Sequence, residues 1–560
     1  MTERLTGALL VAGTHSDAGK SVISAGICRY LAREGVKVAP FKAQNMALNS
    51  FVTRDGAEIG RAQAMQAAAA RVEPEAAMNP ILLKPSAERQ TQVIVRGKPW
   101  AMAGARSYQG MKRDLVPVVL ESLENLRLRF DVVICEGAGS PAEINLREND
   151  LANMGLARAA NLPVILVGDI DRGGLFASLF GTLALLSSRD QALVAGFLVN
   201  KFRGDPAVLA PGLETLSAMT GRPFFGTLSW VGGLGLDGED SLALDAPRPV
   251  KPPLGRDVIR VAVVRLGRIS NFTDFDALAH EPGVEVRFTD SAAELKSADL
   301  AVVPGTKATV ADLEMMRSRG LDRALEERAR QNLPTLGICG GYQMLGQRIT
   351  DPEGVESTER ETSGLGLLPL ETAFEREKVL TRPRGRAASF GDQAVYGYEI
   401  RHGRVHRHGG DPFLVREDVE PEGCRVGNVV GTSWHGVLEC DGFRRSLLRW
   451  VAEDRGLDWV PGDESFAAAR EAQMEKLADL VAENVDREAL LRVISGGAPD
   501  DLPVVKHGIS GFGRQENEAG SEERQPEYGL NGEARAVGRA GIADRAIVNG
   551  AEYQGRKIDA

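Results

Sequence analysis

Short apolar runs recur along this chain, each closed by a glycine-rich or polar turn and followed by an amphipathic segment. In the first part they fall at residues 8–12, 36–41, 132–135, 164–167 and 194–199. A second series follows at 259–264, 284–288, 300–303, 335–338 and 429–434. Runs this short that stay apolar without alternating are the mark of strands buried on both faces. Strands that alternate with helices pair in parallel, because each crossover helix returns the chain to the same edge of the sheet. The pattern therefore predicts an α/β protein built from two doubly wound parallel sheets.

Between the two series lies a proline-rich break, Asp-Ala-Pro-Arg-Pro-Val-Lys-Pro-Pro at 245–253, whose fixed φ angles favour an extended linker. The expected division is a first domain over 1–245, a linker over 246–257 and a second domain over 258–455. A helical segment over 456–495 has Phe466, Met474, Leu477, Leu480 and Val481 at near-helical spacing and is expected to pack on the second domain. From 496 to 560 large apolar residues are sparse, so this tail is expected to be disordered.

At 560 residues the chain exceeds what one core can serve. Its net charge of -10 argues against a nucleic-acid-binding surface, which needs a basic excess. No run reaches the ~18 apolar residues of a membrane span, so no membrane partner is expected. The five cysteines (Cys28, Cys135, Cys339, Cys424, Cys440) are scattered and form no CxxC pair, which suits reduced thiols and a cytoplasmic setting.

Two turns carry chemistry. The first, Gly13-Thr14-His15-Ser16-Asp17-Ala18-Gly19-Lys20-Ser21, follows an apolar run and opens a helix. Its glycines let backbone N–H groups turn toward phosphate oxygens, Lys20 can reach the terminal phosphates of ATP, and the Ser21 hydroxyl can ligate Mg2+. Gly13, Thr14, Asp17, Gly19, Lys20 and Ser21 are the candidate ATP-binding residues, and His15 is placed to meet phosphate or substrate. Glu136, just past the run at 132–135, is a second candidate ligand for Mg2+. Asn200 and Lys201, at the end of the run at 194–199, are candidates to read the nucleotide base.

The second turn holds Cys339, at the junction of the run at 335–338 and a helix opening at Gly340. A thiol mounted there projects from the sheet edge with helix N-terminal amides beside it, which favours the thiolate. Attack on a carboxamide also needs oxyanion donors and a group to move protons. The backbone of Gly340 and Gly305 is expected to supply the donors, and His435, after another apolar run, the proton transfer. His402, His406 and His408 form a cluster read as solvated loop residues, because no cysteine or carboxylate stands beside them at ligand spacing.

The motif Gly337-x-Cys339-x-Gly341-x-Gln343, with His435 downstream, resembles the triad class of glutamine amidotransferases, which implies glutamine as nitrogen donor and Gln343 as a glutamine-binding residue. The phosphate loop is one residue longer than usual and begins Gly-Thr, as in the dethiobiotin synthetase group. It lacks the early lysine of the partitioning and septum-site ATPases, which argues against a dimerising switch. Joined, the two halves resemble the cobyric acid synthases of cobalamin biosynthesis, as do the segments FKAQNM (41–46), SPAEINL (140–146), GDIDRGG (168–174) and NKFRGD (200–205).

The resemblance implies ATP-driven amidation of four peripheral carboxylates of a corrinoid polycarboxylate, adenosylcobyrinic acid a,c-diamide, through an acyl phosphate. It places Lys42, Asp169, Asp171, Arg172 and Arg203 in loops near that substrate. It implies nothing about oligomeric state. The alternatives are a cobyrinic acid a,c-diamide synthase and a non-catalytic P-loop regulatory protein. One departure from the wider amidotransferase class stands out. The usual glutamate two residues after the histidine is replaced by Val437, with Glu439 two residues further on, so His435 is expected to be less strongly polarised.

Overall fold

A computed structural model describes residues 5–87, 90–232, 244, 249–416 and 420–506. Residues 246–248 of the expected linker, and the expected tail from 507 onward, lie outside the described residues.

The first six-stranded sheet runs in the order Phe224–Ser229, Val194–Phe202, Val164–Asp169, Gly7–Gly13, Val132–Glu136, Val38–Phe41, and every pairing is parallel. Successive residues go to opposite faces, and both faces are buried. Ala8, Leu10 and Ala12 enter one core, while Leu9 and Val11 enter the other. The first strand lies at the centre, where the strand order reverses, and the phosphate loop leaves its carboxyl end. That is the position at which open α/β sheets collect ligands.

The second sheet runs Val284–Thr289, Ile259–Val264, Leu300–Val303, Thr335–Ile338, Val429–Thr432, Cys424–Val426, parallel except for the last strand. Strand Thr335–Ile338 pairs in register with Val429–Thr432, Ile338 opposite Thr432. The residues that follow these two strands therefore emerge side by side. Both sheets belong to one compact unit that contains all the described residues.

Smaller antiparallel elements are inserted around these sheets. A hairpin, Ser50–Val52 with Glu58–Gly60, leads directly into helix Arg61–Ala69. Beyond the Cys339 turn, Leu370–Thr381 pairs with Glu399–Arg407.

Helix Phe466–Asn484 corrects one expectation. Its start reaches the core of the second sheet through Phe466, but most of its buried face packs on helix Lys20–Arg33 of the first sheet: Met474, Leu477, Ala478 and Val481 share a core with Ile23, Ile27 and Cys28. Gly26 makes the close approach possible, since a Cβ there would lie 2.9 Å from Val481 Cγ2. Buried Arg29 fixes the pairing by reaching Glu471 at 2.5 Å and Glu475 at 3.5 Å. The start of the expected tail is also ordered. Val505 is buried, and its backbone exchanges hydrogen bonds of 2.8 and 3.1 Å with the Gln191 side chain.

Candidate active site

Cys339 has φ 51° and ψ -109°, a conformation costing a non-glycine residue roughly 1–3 kcal/mol. The surroundings hold it there. Its N–H donates to Thr432 O at 2.8 Å, and its carbonyl accepts from Gln343 N–H at 3.1 Å. Gly341 lets the short helix Gly340–Met344 press onto the neighbouring strand, for a Cβ there would lie 2.0 Å from Val303 O. Gly305 is equally constrained, because a Cβ on it would meet His435 Cε1 at 2.6 Å.

His435 is 1% exposed. Its backbone exchanges hydrogen bonds with Tyr398 at 2.9 and 3.0 Å, and the two rings stack with centroids 5.5 Å apart. Its Nδ1 lies 2.7 Å from Asp274 Oδ2, and Asp274 Oδ1 accepts the Gly436 N–H at 2.8 Å. Burial disfavours the imidazolium, yet the charges of Asp274 and Cys339, with hydrogen bonds to both, outweigh it and push His435 up to about 10.

The expectation of a weakly polarised histidine is therefore overturned. Its carboxylate partner is Asp274, in the short 3-10 turn Phe272–Phe275, 161 residues upstream. Val437 is buried in the core, and Glu439 pairs with Arg61 at 2.6 Å instead. A motif read along one strand has no access to a partner that distant. No signal in the sequence singled it out, for Asp274 stands in a turn well past the end of strand Ile259–Val264, whereas Glu136 closes its strand.

Cys339, Gly340 and Gln343 line a cavity with Asn271, Lys307 and Glu356, and Lys84 reaches it from the nucleotide half. Thr309 N–H donates to Glu356, which burial pushes up to about 7 against the pull of Lys307. His402 also lines this cavity, which corrects its reading as a solvated loop residue. His402 and His406 stand on the strand Glu399–Arg407, and His402 is buried and pushed down to about 4 by desolvation. His408 follows that strand, with its ring 3.8 Å from Glu371.

In the nucleotide half, the loop from Gly13 to Lys20 bends through Gly19 at φ 98°, and Asn200 Nδ2 donates to Ala18 O at 2.9 Å. Asn200 thus braces the loop. Lys20 Nζ donates to His15 O at 3.0 Å, so its ammonium lies over the loop. Thr14 Oγ1 is buried with no partner among the described residues, which suits a ligand oxygen filling the loop.

Glu136 is fully buried and accepts from three side chains: Ser21 Oγ at 2.7 Å, Lys42 Nζ at 2.9 Å and Gln66 Nε2 at 2.5 Å. Lys42, expected near the second substrate, therefore sits on the nucleotide-site carboxylate. The adjoining oxygens of Ser21 and Glu136 are hard donors and fit Mg2+, which takes one or two protein oxygens and the rest from phosphates and water.

The remaining expected residues gather at the same sheet edge. Asp169 pairs with Lys201 at 2.7 Å and Arg172 at 3.7 Å, Arg172 with Asp17 at 3.3 Å, and Asp171 with Arg203 at 3.1 Å. The Arg203 guanidinium stacks 3.8 Å from the ring of Trp230, an exposed residue that no motif had marked.

A buried thiol–imidazole–carboxylate arrangement and a phosphate loop, each at the carboxyl edge of its own parallel sheet, define a nucleotide-using glutamine amidotransferase. Residues 9–238 match the CobQ/CobB/MinD/ParA nucleotide binding domain, and residues 260–443 match the CobB/CobQ-like glutamine amidotransferase domain. The chain is 58% identical to a cobyric acid synthase of Streptomyces coelicolor over 90% of this chain and 99% of that protein. It is 56% identical to one of Frankia casuarinae over 90% of this chain and the whole of the other. A solved glutamine amidotransferase is 23% identical, with a TM-score of 0.29, over 35% of this chain and 99% of its own. The chain belongs to the cobyric acid synthase family. Among the described residues, no helix is long and apolar enough to cross a membrane.

Proposed function

We propose that the protein uses ATP and glutamine to amidate four peripheral carboxylates of adenosylcobyrinic acid a,c-diamide, giving adenosylcobyric acid. What carries this reading is the match to cobyric acid synthases across both halves, with a nucleophile and a phosphate loop each intact.

At the thiol site, the Cys339 sulfur attacks the glutamine carboxamide, His435 gives a proton to the departing ammonia, and water then cleaves the glutamyl thioester. Asp274 keeps the His435 imidazole oriented through Nδ1, as the third member of a triad does. The amides of Gly305 and Gly340 are the candidate donors to the oxyanion, and Gln343 helps to hold glutamine.

At the loop site a substrate carboxylate attacks the γ-phosphate of ATP. Phosphate replaces an oxide as leaving group, and ammonia then displaces it to form the amide. Lys20 and the loop amides neutralise charge as the phosphoryl group moves. Mg2+, held through Ser21 and Glu136, supplies further neutralisation of phosphate charge when bound. The polar edge formed by Asp169, Asp171, Arg172 and Arg203, with Trp230 as an apolar platform, suits a large ring fringed with carboxylates. The substrates are then glutamine and a corrinoid polycarboxylate. Free, buried cysteines suit a cytoplasmic enzyme.

The test is to incubate the protein with ATP, Mg2+, glutamine and the a,c-diamide and to count added amides by mass. Four are expected, and none would refute the proposal.

A further inference from the structure

The two sites are connected by one continuous piece of the nucleotide half, residues 49–69. At its far end Gln66, on helix Arg61–Ala69, donates to Glu136 at 2.5 Å and to Ser21 O at 3.4 Å. The helix therefore touches the two residues offered to the phosphates and their metal. Its other end is the hairpin Ser50–Val52 with Glu58–Gly60, which sits against the second sheet's site.

Several contacts reach the Asp274–His435 pair from this segment. Ser50 N–H donates to Asn271 Oδ1 at 2.8 Å, and Phe272 N–H donates to Asn49 Oδ1 at 3.2 Å. Together they fasten the turn that presents Asp274. Asn271 is in the left-handed region, φ 52°, so its conformation sets the direction in which the turn departs. Phe51 packs on Tyr398 with ring centroids 5.3 Å apart, and Tyr398 stacks on His435. Arg61 pairs with Glu439, four residues beyond that histidine. Asn49, Ser50 and Asn271 are each no more than 2% exposed, so these hydrogen bonds are not exchanged with water.

We propose that residues 49–69 are the positioning element through which the nucleotide half sets the Asp274–His435 pair, with Asn49 on that element and Asn271 on the turn it fastens as the positioning residues. This rests on the reading of Cys339 as the glutaminase nucleophile. The hairpin secures the carboxylate on one side of the imidazole and the ring stack on its face. The helix carries any change at Glu136 to that hairpin over about 9 Å, from Gln66 back to Gly60 at 1.5 Å per residue. Glutamine hydrolysis is then fully active only when the nucleotide half holds this segment in place.

The experiment compares glutamine-dependent with ammonium-dependent amidation in the full chain. Asn271→Gly keeps the left-handed turn and removes the acceptor, Asn49→Ala removes the contact from the other half, and Asn271→Asp keeps an acceptor oxygen. Asn271→Gly and Asn49→Ala should each lower kcat with glutamine by about ten- to a hundredfold, the cost of a small misplacement in a catalytic group. The ammonium-dependent rate of both, and the KM for glutamine of Asn49→Ala, should stay within about twofold, and Asn271→Asp should recover most of the loss. Parallel loss with glutamine and ammonium would mean a merely structural role and overturn the proposal, as would an Asn49→Ala enzyme with unchanged glutamine use. A wild-type chain that uses ammonium but never glutamine would instead refute the underlying reading of Cys339.

Discussion

Replacing Asp274 with Asn keeps the shape of the side chain and removes its charge. His435 now holds its proton up to about 10 rather than 6.5, a preference for the imidazolium of about 5 kcal/mol at 1.36 kcal/mol per tenfold. Burial opposes that preference, and Asp274 is the larger of the two opposing attractions, ahead of Cys339. Without it the larger of these attractions goes, so the imidazolium should be markedly less favoured and His435 should lose its proton at a lower pH. The new amide would also offer N–H toward Nδ1 and favour the wrong tautomer. Together these should slow glutamine-dependent amidation by about 10²- to 10⁴-fold, as loss of a triad acid does elsewhere, and leave ammonium-dependent amidation within about twofold.

Stability supplies an independent check on the same substitution. A histidine raised on folding stabilises the folded state fully below its unfolded value of 6.5, and that contribution is lost as pH rises through about 10. The gap between wild type and Asp274→Asn in urea unfolding should be widest near pH 6 and should have largely closed by pH 10. A variant that hydrolyses glutamine within about threefold of wild type, or a gap that does not change with pH, would refute the reasoning.

Glu136→Gln should slow amidation about a hundredfold or more even with ammonium as the nitrogen donor, because the change lies on the phosphoryl-transfer side; an ammonium-dependent rate within about threefold of wild type would place Glu136 elsewhere. Glu58 is fully buried with Lys84 at 2.8 Å and Lys378 against it, and the two ammonium groups overcome burial to hold its carboxyl well below the usual range. Glu58→Gln leaves two buried cations without their shared anion and should cost about 3–5 kcal/mol in urea unfolding. A loss under 1 kcal/mol would show that water reaches the cluster. Gly26→Leu should part helix Phe466–Asn484 from helix Lys20–Arg33, lowering the melting temperature by several degrees and leaving Cys339 chemistry in place.

Both parallel sheets were legible because their strands are buried on both faces, so runs such as Leu9-Leu10-Val11 and Leu300-Ala301-Val302-Val303 are apolar without interruption. The inserted antiparallel strands were not. Leu370–Thr381 mixes buried Leu370, Thr372 and Phe374 with exposed charged residues, and its pairing with Glu399–Arg407 depends on register rather than composition. Cys339 and the phosphate loop could be found because each compresses strand, turn and helix into about ten residues. Asp274 could not, since it meets His435 only through the order of strands in the second sheet. For Phe466–Asn484 the stripe of Met474, Leu477 and Val481 marked which face is buried but carried no information about which helix would cover it. The proximity of Lys42 to Glu136 likewise comes from two neighbouring strand ends, which a linear motif leaves unpaired.

The central claim is that ammonia released at Cys339 is consumed at the phosphate-loop site of the same chain. It is tested most directly by supplying glutamine with a heavy amide nitrogen together with ordinary ammonium, ATP and the a,c-diamide, then weighing the corrinoid product. Wild type should build its new amides chiefly from the heavy nitrogen, and Cys339→Ala should build them from ordinary ammonium alone. Heavy amides made by Cys339→Ala, or wild-type product without heavy nitrogen, would contradict the account.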